Sequence, residues 1–401
     1  MRELDDWLAA LETRDFPYDS VVEEYHRVGK HFVPDELLDA LSQARESAHL
    51  LARFLDTALD KRDGLYDYRT YLALDLLPLP GGAGQSPDPE AARRQHDRLV
   101  LQLTADTLRF ELDASEGRTQ RFPEQRPDAT TVAKRLRLGL RAIEPMAARA
   151  GIGLSEYEKD PPEAARAFCE HIEQDRTPAE ERALSLSDLP VYVVHDEYMF
   201  IRVLQSFETA FAFLTVCLQA TIEDITADRI EVATGRLHDA RSALREAARF
   251  FPLLATMQVE SFRTFRLYTE GASAIQSRNY KLVESLCRTP DESRLNSPAY
   301  QSVPEVHANV VGGQTTLDNV LREAVAQDRI SPVQLKELQE AMSSFAATLV
   351  QWRQTHYSLA VRMLGERSGT GYTEGTPYLD EVRTIPVFHE PDRDQSEVRG
   401  N

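Results

Sequence analysis

His356 lies on the apolar side of a segment whose hydrophobic residues recur at helical spacing. Trp352, Leu359 and Met363 share that stripe, at steps of three and four residues. A single histidine in such a position is usually a core residue that hydrogen-bonds a neighbour. The same arrangement suits an axial ligand of haem iron, because a neutral imidazole must project from a rigid helix into an apolar cavity. The segment therefore has two interpretations, a structural histidine or a metal ligand.

An arginine and a phenylalanine, Arg266 and Phe262, are four residues apart and share one face of a predicted helix. Such an arginine more commonly forms a salt bridge within its own protein. Its functional alternative is a guanidinium fork that binds a carboxylate while the aromatic ring packs against the rest of the ligand.

A glycine-rich stretch, GTGYTEG at 369–375, follows the histidine segment. Such a stretch is most often a helix cap and a turn. Alternatively, the glycines let the backbone approach a ligand, and Thr370 offers a hydroxyl to an ammonium or a carboxylate. No predicted strand precedes it, so the stretch is neither a P-loop nor a dinucleotide fingerprint.

Helical periodicity extends over nearly the whole chain. The clearest amphipathic segments are 35–60, 198–225, 228–257 and 331–364, and only VYVVH (191–195) alternates as a strand would. These patterns predict an all-α fold. We expect exposed loops at 78–90, an ordered loop at 290–305 and a disordered tail after Phe388.

The composition excludes several classes of protein. With 46 Lys and Arg against 65 Asp and Glu, the formal net charge is -19, so the surface should repel nucleic acid and anionic membranes. No uncharged apolar run is long enough for a transmembrane helix, and the N-terminus lacks a signal-peptide pattern. Cys169, Cys217 and Cys287 are unclustered and odd in number, which predicts reduced core thiols in a cytoplasmic protein.

Four motifs in order along the chain resemble the tryptophan 2,3-dioxygenase family. They are YRTYLALDLL, HDEYMFIRVLQSFE, ESFRTFR with GASAIQSRNYKLVE, and WRQTHYSLAVRMLGERSGTGYTEGTPYL. The resemblance implies a helical bundle that binds haem b. It also implies oxygenation of an aromatic amino acid by O2, as in tryptophan catabolism.

Roles for individual residues follow from the same resemblance. His356 would be the proximal haem ligand, and Phe200 would pack on the substrate's side chain. The distal position, where the family has a histidine that meets the indole N–H, is Leu204 here. A leucine accepts no hydrogen bond, so the resemblance implies a distal wall without a base.

The remaining implied contacts all concern the substrate. Arg266 would bind its carboxylate, Phe262 would pack on its ring, and Thr370 would contact its ammonium or carboxylate group. Tyr68 and Tyr71 would line the pocket, and in the family they come from a neighbouring subunit of a tetramer. The protein is therefore expected to be a homo-oligomer, a tetramer or a dimer.

The resemblance also divides the chain. Residues 66–79 and 191–388 would form the haem- and substrate-binding domain, residues 1–65 an N-terminal helical region, and residues 80–190 an inserted helical accessory region. The tail would span 389–401.

The expected activity is a haem-dependent dioxygenase that cleaves the indole ring of tryptophan, or of a similar amino acid, to an N-formylkynurenine. Leu204, the bulky Tyr372 and acidic Glu374 in the glycine-rich stretch, and the insertion depart from the family. They favour a first alternative, a haem-dependent monooxygenase of a modified tryptophan or tyrosine in secondary metabolism. A second alternative is a haem-binding sensor without enzymatic activity.

Overall fold

The computed structural model describes residues 3–4, 7–8, 16–47, 51–82, 88–154, 157–365 and 376–389. Within these ranges the protein is helical, and the only strand-like pairing is an isolated bridge between Glu124 and Val194. The prediction of an all-α fold is confirmed. The VYVVH segment contributes one residue to that bridge and forms no strand.

The helices before residue 190 are α1 (Tyr18–Val28), α2 (Asp35–Ser47), α3 (Ala52–Ala58), α4 (Tyr68–Tyr71), α5 (Pro89–Ser115), α6 (Ala129–Arg149), α7 (Pro161–Asp175) and α8 (Pro178–Leu186). Those after residue 190 are α9 (His195–Thr226), α10 (Ile230–Ala247), α11 (Phe251–Leu254), α12 (Val259–Thr269), α13 (Arg278–Cys287), α14 (Glu292–Leu295), α15 (Pro298–Gln301), α16 (Pro304–Val311), α17 (Leu317–Ala326), α18 (Pro332–Leu364) and α19 (Thr376–Arg383). Single 3-10 turns lie at Lys30–Phe32, Leu74–Leu76, Ala248–Phe250 and Ala274–Gln276.

The central element is α9, which packs against α5, α10 and α13. It is apolar on nearly every side, so it needs apolar surroundings around its whole circumference. Among the described helices it is the one long and apolar enough to cross a membrane, but its most apolar stretch is completely buried inside the protein. It is therefore a core helix.

Helices α5, α6 and α7, from the segment 80–190, pack against one another, and α5 also packs against α9. Leu108 of α5, Leu140 of α6 and Phe168 of α7 belong to the same hydrophobic cluster as the apolar residues of α9. Gly139 lets α6 approach α5, since a Cβ at that position would lie 2.8 Å from a methyl carbon of Leu108. The main core is thus continuous from 80–190 into the helices that follow.

Helices α1 to α3 surround a hydrophobic cluster of their own, which also includes Leu186 and Leu189. A buried ion pair connects this region to α4. The Lys30 ammonium lies 3.0 Å from an Asp60 carboxylate oxygen and also donates to the Thr70 carbonyl at 3.3 Å. The N-terminal region thereby supports the segment that carries Tyr68 and Tyr71.

Several predicted elements differ from the structure in detail. The amphipathic pattern over 228–257 forms α10 only as far as Ala247, and α11 restarts beside Pro252, which lacks an N–H group for helix bonding. The segment 290–305, expected to be an ordered loop, contains the short helices α14 and α15 and the start of α16. The predicted helix at 331–364 is confirmed as α18, and the tail from residue 390 lies outside the described residues. All three cysteines are buried, unbridged thiols.

Candidate active site

A cavity lies between the second half of α18 and the side of α9 that carries Phe200 and Leu204. Helices α12, α13 and α19 contribute further walls, and the cavity volume is about 230 Å³. Of the residues singled out by the sequence, the following line it: Tyr68, Phe200, Leu204, Phe262, Arg266 and His356.

His356 projects into this cavity from α18, a helix that Ser331 and Gln334 cap at its N-terminus. Its ring stacks on the indole of Trp352, with centroids 5.4 Å apart and planes inclined by 24°. Neither ring nitrogen has a hydrogen-bond partner within the part of the chain that the structure describes. Burial lowers the pKa of His356 to about 4, so the imidazole is neutral at physiological pH and can act as a metal ligand.

Trp352 sets the position of His356 because aromatic rings surround it. The rings of Phe207 and Phe211 meet the indole edge-on, with centroids 5.6 and 5.1 Å away, and Phe251 lies at 5.3 Å. This cluster packs α18 against α9 below the histidine.

The wall on α9 opposite the histidine is apolar. Leu204 is buried, and Phe200 lies one helical turn before it on the same side. The Phe200 ring is 6.0 Å from Phe262 and 5.2 Å from Phe265 of α12. These rings make a surface suited to another flat aromatic group.

Arg266 and Phe262 line the same part of the cavity, one turn apart on α12. The spacing that placed both on one helical face in the sequence thus has its counterpart in the structure. The cavity wall formed by α12 therefore combines the Arg266 guanidinium with the Phe262 ring.

The tyrosine segment reaches the cavity from within the same chain. Tyr68 lines the cavity, and its backbone N–H donates to the Gln276 side chain at 3.0 Å. Tyr71 lies behind it, with its ring 6.5 Å from Phe200 and its hydroxyl donating to Glu197 at 3.3 Å. Gly271 permits this approach, because a Cβ there would lie 2.9 Å from the Tyr66 carbonyl oxygen.

Thr370 and the glycine-rich stretch, including Tyr372 and Glu374, fall outside the described residues. The structure does describe what flanks them. Leu364, at the end of α18, and Tyr378, on α19, both line the cavity.

Sequence reasoning did not single out two buried charged residues of the cavity, Glu208 and Lys281. Glu208 lies one turn after Leu204 on α9, and burial raises the pKa of its carboxyl to about 7. Its Oε2 accepts a hydrogen bond from Asn279 at 3.1 Å, while Oε1 is buried without a partner. Glu208 follows Leu204 by four residues on an apolar stripe, and this spacing could have predicted that it faces the cavity. No comparable pattern singles out Lys281.

The residues present fit a haem group. A neutral imidazole whose nitrogens form no hydrogen bond with the described residues lines a mainly apolar cavity, together with several aromatic side chains. The described residues contain no cluster of three or more His, Cys, Asp or Glu that could hold a metal ion by itself. A porphyrin needs only one axial side chain from the protein, so His356 is sufficient.

Comparisons with known proteins identify a family that the chain resembles. The family model for tryptophan 2,3-dioxygenase matches residues 159–327, which include α9, Arg266 and Lys281 and end before the His356 helix. The tryptophan 2,3-dioxygenases of Burkholderia mallei (strain SAVP1) and Burkholderia pseudomallei (strain 668) are each 23% identical over 231 residues, covering 49% of this chain and 75% of the relative. The matching segment and the helical fold thus make the chain similar to the tryptophan 2,3-dioxygenase family.

Proposed function

We propose that the protein is a haem-dependent oxygenase that acts on tryptophan or a similar aromatic amino acid. One observation carries the proposal: His356 and Arg266, from helices far apart in sequence, line a single cavity together with Phe200 and Leu204. The names of the related proteins, which are tryptophan dioxygenases, support the same substrate class.

Each group has a distinct task in this proposal. His356 would hold haem b, and the haem when bound would supply the redox chemistry with O2. Arg266 would bind the amino-acid carboxylate, since a guanidinium pairs with a carboxylate through two parallel hydrogen bonds. Phe262 and Phe200 would orient the aromatic ring, and Thr370 would contact the substrate's ammonium or carboxylate.

Leu204 would affect the reaction because its side chain cannot act as a base. An aliphatic side chain neither takes up nor releases a proton, so the wall above the substrate provides no general base at that point. It excludes water and keeps the aromatic ring in an apolar environment. The proposed dioxygenase reaction puts both oxygen atoms into the C2–C3 bond of the indole and gives an N-formylkynurenine.

The same leucine favours a second candidate, a haem-dependent monooxygenase of a modified tryptophan or of tyrosine. A ring without an N–H group at that point would leave no polar group unsatisfied against Leu204. Both candidates share the haem, the Arg266 contact and the cavity. They differ in the number of oxygen atoms transferred.

The His356→Ala variant tests the haem assignment. The purified wild-type protein should show a Soret band, and the variant should lose it because no other described residue replaces the axial imidazole. His238→Ala, at an exposed histidine, is the matched control and should keep the band. Equal haem content in both variants would contradict the assignment.

The reaction itself is tested with the wild-type protein, a reductant and isotopically labelled O2. Mass spectrometry of the product from tryptophan should show two labelled oxygen atoms for the dioxygenase and one for the monooxygenase. The proposal includes a cytoplasmic location and a homo-oligomer. Light scattering of the purified protein measures the oligomeric state, for which a tetramer or a dimer is expected.

A further inference from the structure

Lys281 is a buried amine on the cavity wall that forms no ion pair with the described carboxylates. It lies on α13 with 2% of its surface exposed, and it lines the cavity. Its ammonium makes no hydrogen bond or ion pair with any described residue. The ammonium lies over the faces of Tyr280 and Tyr300, whose ring centres are 5.3 and 5.7 Å away.

Two carboxylates, Glu284 and Glu208, act on Lys281 through their charge, but neither forms an ion pair with it. Glu284 accepts two hydrogen bonds from Arg294, at 2.7 and 2.9 Å, so its oxygens are already engaged. Glu208 has a carboxyl pKa of about 7, so at neutral pH it is only partly ionised. Neither carboxylate lies within ion-pair distance of the lysine.

Arg353 adds a further positive charge to the same wall. Its Nε donates to the Tyr280 hydroxyl and one terminal nitrogen donates to the Ile385 carbonyl, both at 2.6 Å. Both acceptors are neutral, and the nearby negative charge of Glu284 acts on the guanidinium without a direct ion pair. Burial, together with the Arg294 charge, lowers the pKa of Lys281 to about 7.

A buried amino group without a hydrogen-bond partner is costly, and native proteins keep one mainly where a partner or a ligand satisfies it. Building on the proposed function, we propose that Lys281, with Arg353 beside it, forms a carboxylate-binding subsite for a molecule that occupies the cavity. Two carboxylates could reach it: a propionate of the porphyrin, or the carboxylate of the amino-acid substrate. In the second case Arg266 would have a different task.

The test compares Lys281→Met, which removes the charge at similar volume, with Lys281→Arg, which keeps it. Lys336→Met is the control, because Lys336 is exposed and does not line the cavity. Haem release from each holoprotein to an excess scavenger is measured for haem and for its dimethyl ester, in which both propionates are blocked. Each holoprotein is also titrated spectrally with tryptophan and with tryptamine, which lacks the carboxylate.

A propionate at Lys281 predicts that the wild type releases the ester about tenfold faster than haem, the effect expected from one lost charged hydrogen bond. Lys281→Met should abolish that difference and Lys281→Arg should retain it. If the substrate carboxylate is the ligand, Lys281→Met should instead weaken tryptophan binding about tenfold and leave tryptamine unchanged.

The inference is overturned if Lys281→Met leaves both ratios, haem to ester and tryptophan to tryptamine, within about twofold of the wild type. That result, obtained on a protein that still shows a His356-dependent Soret band, leaves the proposed function intact. Absence of haem binding in the wild type defeats the proposed function itself. Should Lys281→Met fail to fold, Lys281→Gln serves in the same comparison.

Discussion

Two regions along α9 bury polar groups in opposite ways. At its first turn, Asp196 and Glu111 both pair with Arg135, at 2.7 and 2.8 Å, and none of the three side chains is exposed. His195 lies 3.2 Å from Glu111, and Asp196 also accepts the Gln258 backbone N–H at 2.6 Å. We call this set the Arg135 cluster. It joins α5, α6 and α9.

Farther along α9, the cavity collects polar groups that lack partners. Oε1 of Glu208, the ammonium of Lys281 and both ring nitrogens of His356 have no hydrogen bond within the described residues. Buried polar groups in folded proteins are nearly always satisfied, so three such residues around one cavity indicate a site that a ligand completes. In the Arg135 cluster the charges of Arg135, Glu111 and Asp196 are paired with one another, so the cluster is part of the scaffold.

The largest expected effect is on the Arg135 cluster. Arg135→Met should lower the free energy of unfolding by about 3–5 kcal/mol, because it leaves two buried carboxylates without their cation. Urea unfolding followed by circular dichroism measures the change. Arg137→Met, at an exposed arginine of the same helix, should stay within about 0.5 kcal/mol of the wild type.

Lys281→Met sharpens this comparison in the same unfolding experiment, because it removes a buried charge that has no partner. Its ligand-free stability should equal or exceed that of the wild type. A loss of unfolding free energy as large as that of Arg135→Met would show that Lys281 is stabilised within the protein, as Arg135 is.

The next expected effect is on the pH dependence of the free energy of unfolding. Burial alone would raise the pKa of Glu284, but the hydrogen bonds and charge of Arg294 outweigh it and hold the pKa at about 2. An unfolded glutamate titrates near 4.3, so the stabilisation is present above about pH 4.3 and is lost as the pH falls towards 2.

Glu284→Gln should therefore reduce stability at pH 7 and flatten its decline between pH 4 and 3, by up to about 1.4 kcal/mol per pH unit. Urea titrations at pH 3, 4, 5 and 7 measure this slope. Glu340→Gln, at an exposed glutamate, should leave it unchanged. An equal slope in Glu284→Gln and the wild type would show that Arg294 does not lower the pKa of Glu284 in the folded protein.

The smallest expected effect tests a cavity residue directly. Arg266→Ala should raise the KM for the amino acid about 10–100-fold, the equivalent of one charged hydrogen bond, and leave the Soret band in place. Arg263→Ala, on the same helix and outside the cavity lining, is the control and should change the KM little. An unchanged KM in Arg266→Ala would show that another group binds the substrate carboxylate.

Local sequence patterns predicted much of this protein. The apolar periodicity at 198–225 and 331–364 predicts α9 and α18 closely, because burying an apolar stripe of that length requires a helix. Helical spacing also relates Phe262 to Arg266, and Trp352 to His356. Within one helix, the side on which a residue lies follows from the geometry of 3.6 residues per turn.

Tertiary structure alone decided which of these faces meet. Tyr68 reaches the cavity within its own chain, and the helices of 80–190 join the core of α9; neither follows from periodicity. The same is true of Arg135, which is paired, and Lys281, which is not. Whether a buried charge finds a partner depends on distances between helices remote in sequence, and only the packed chain sets those distances.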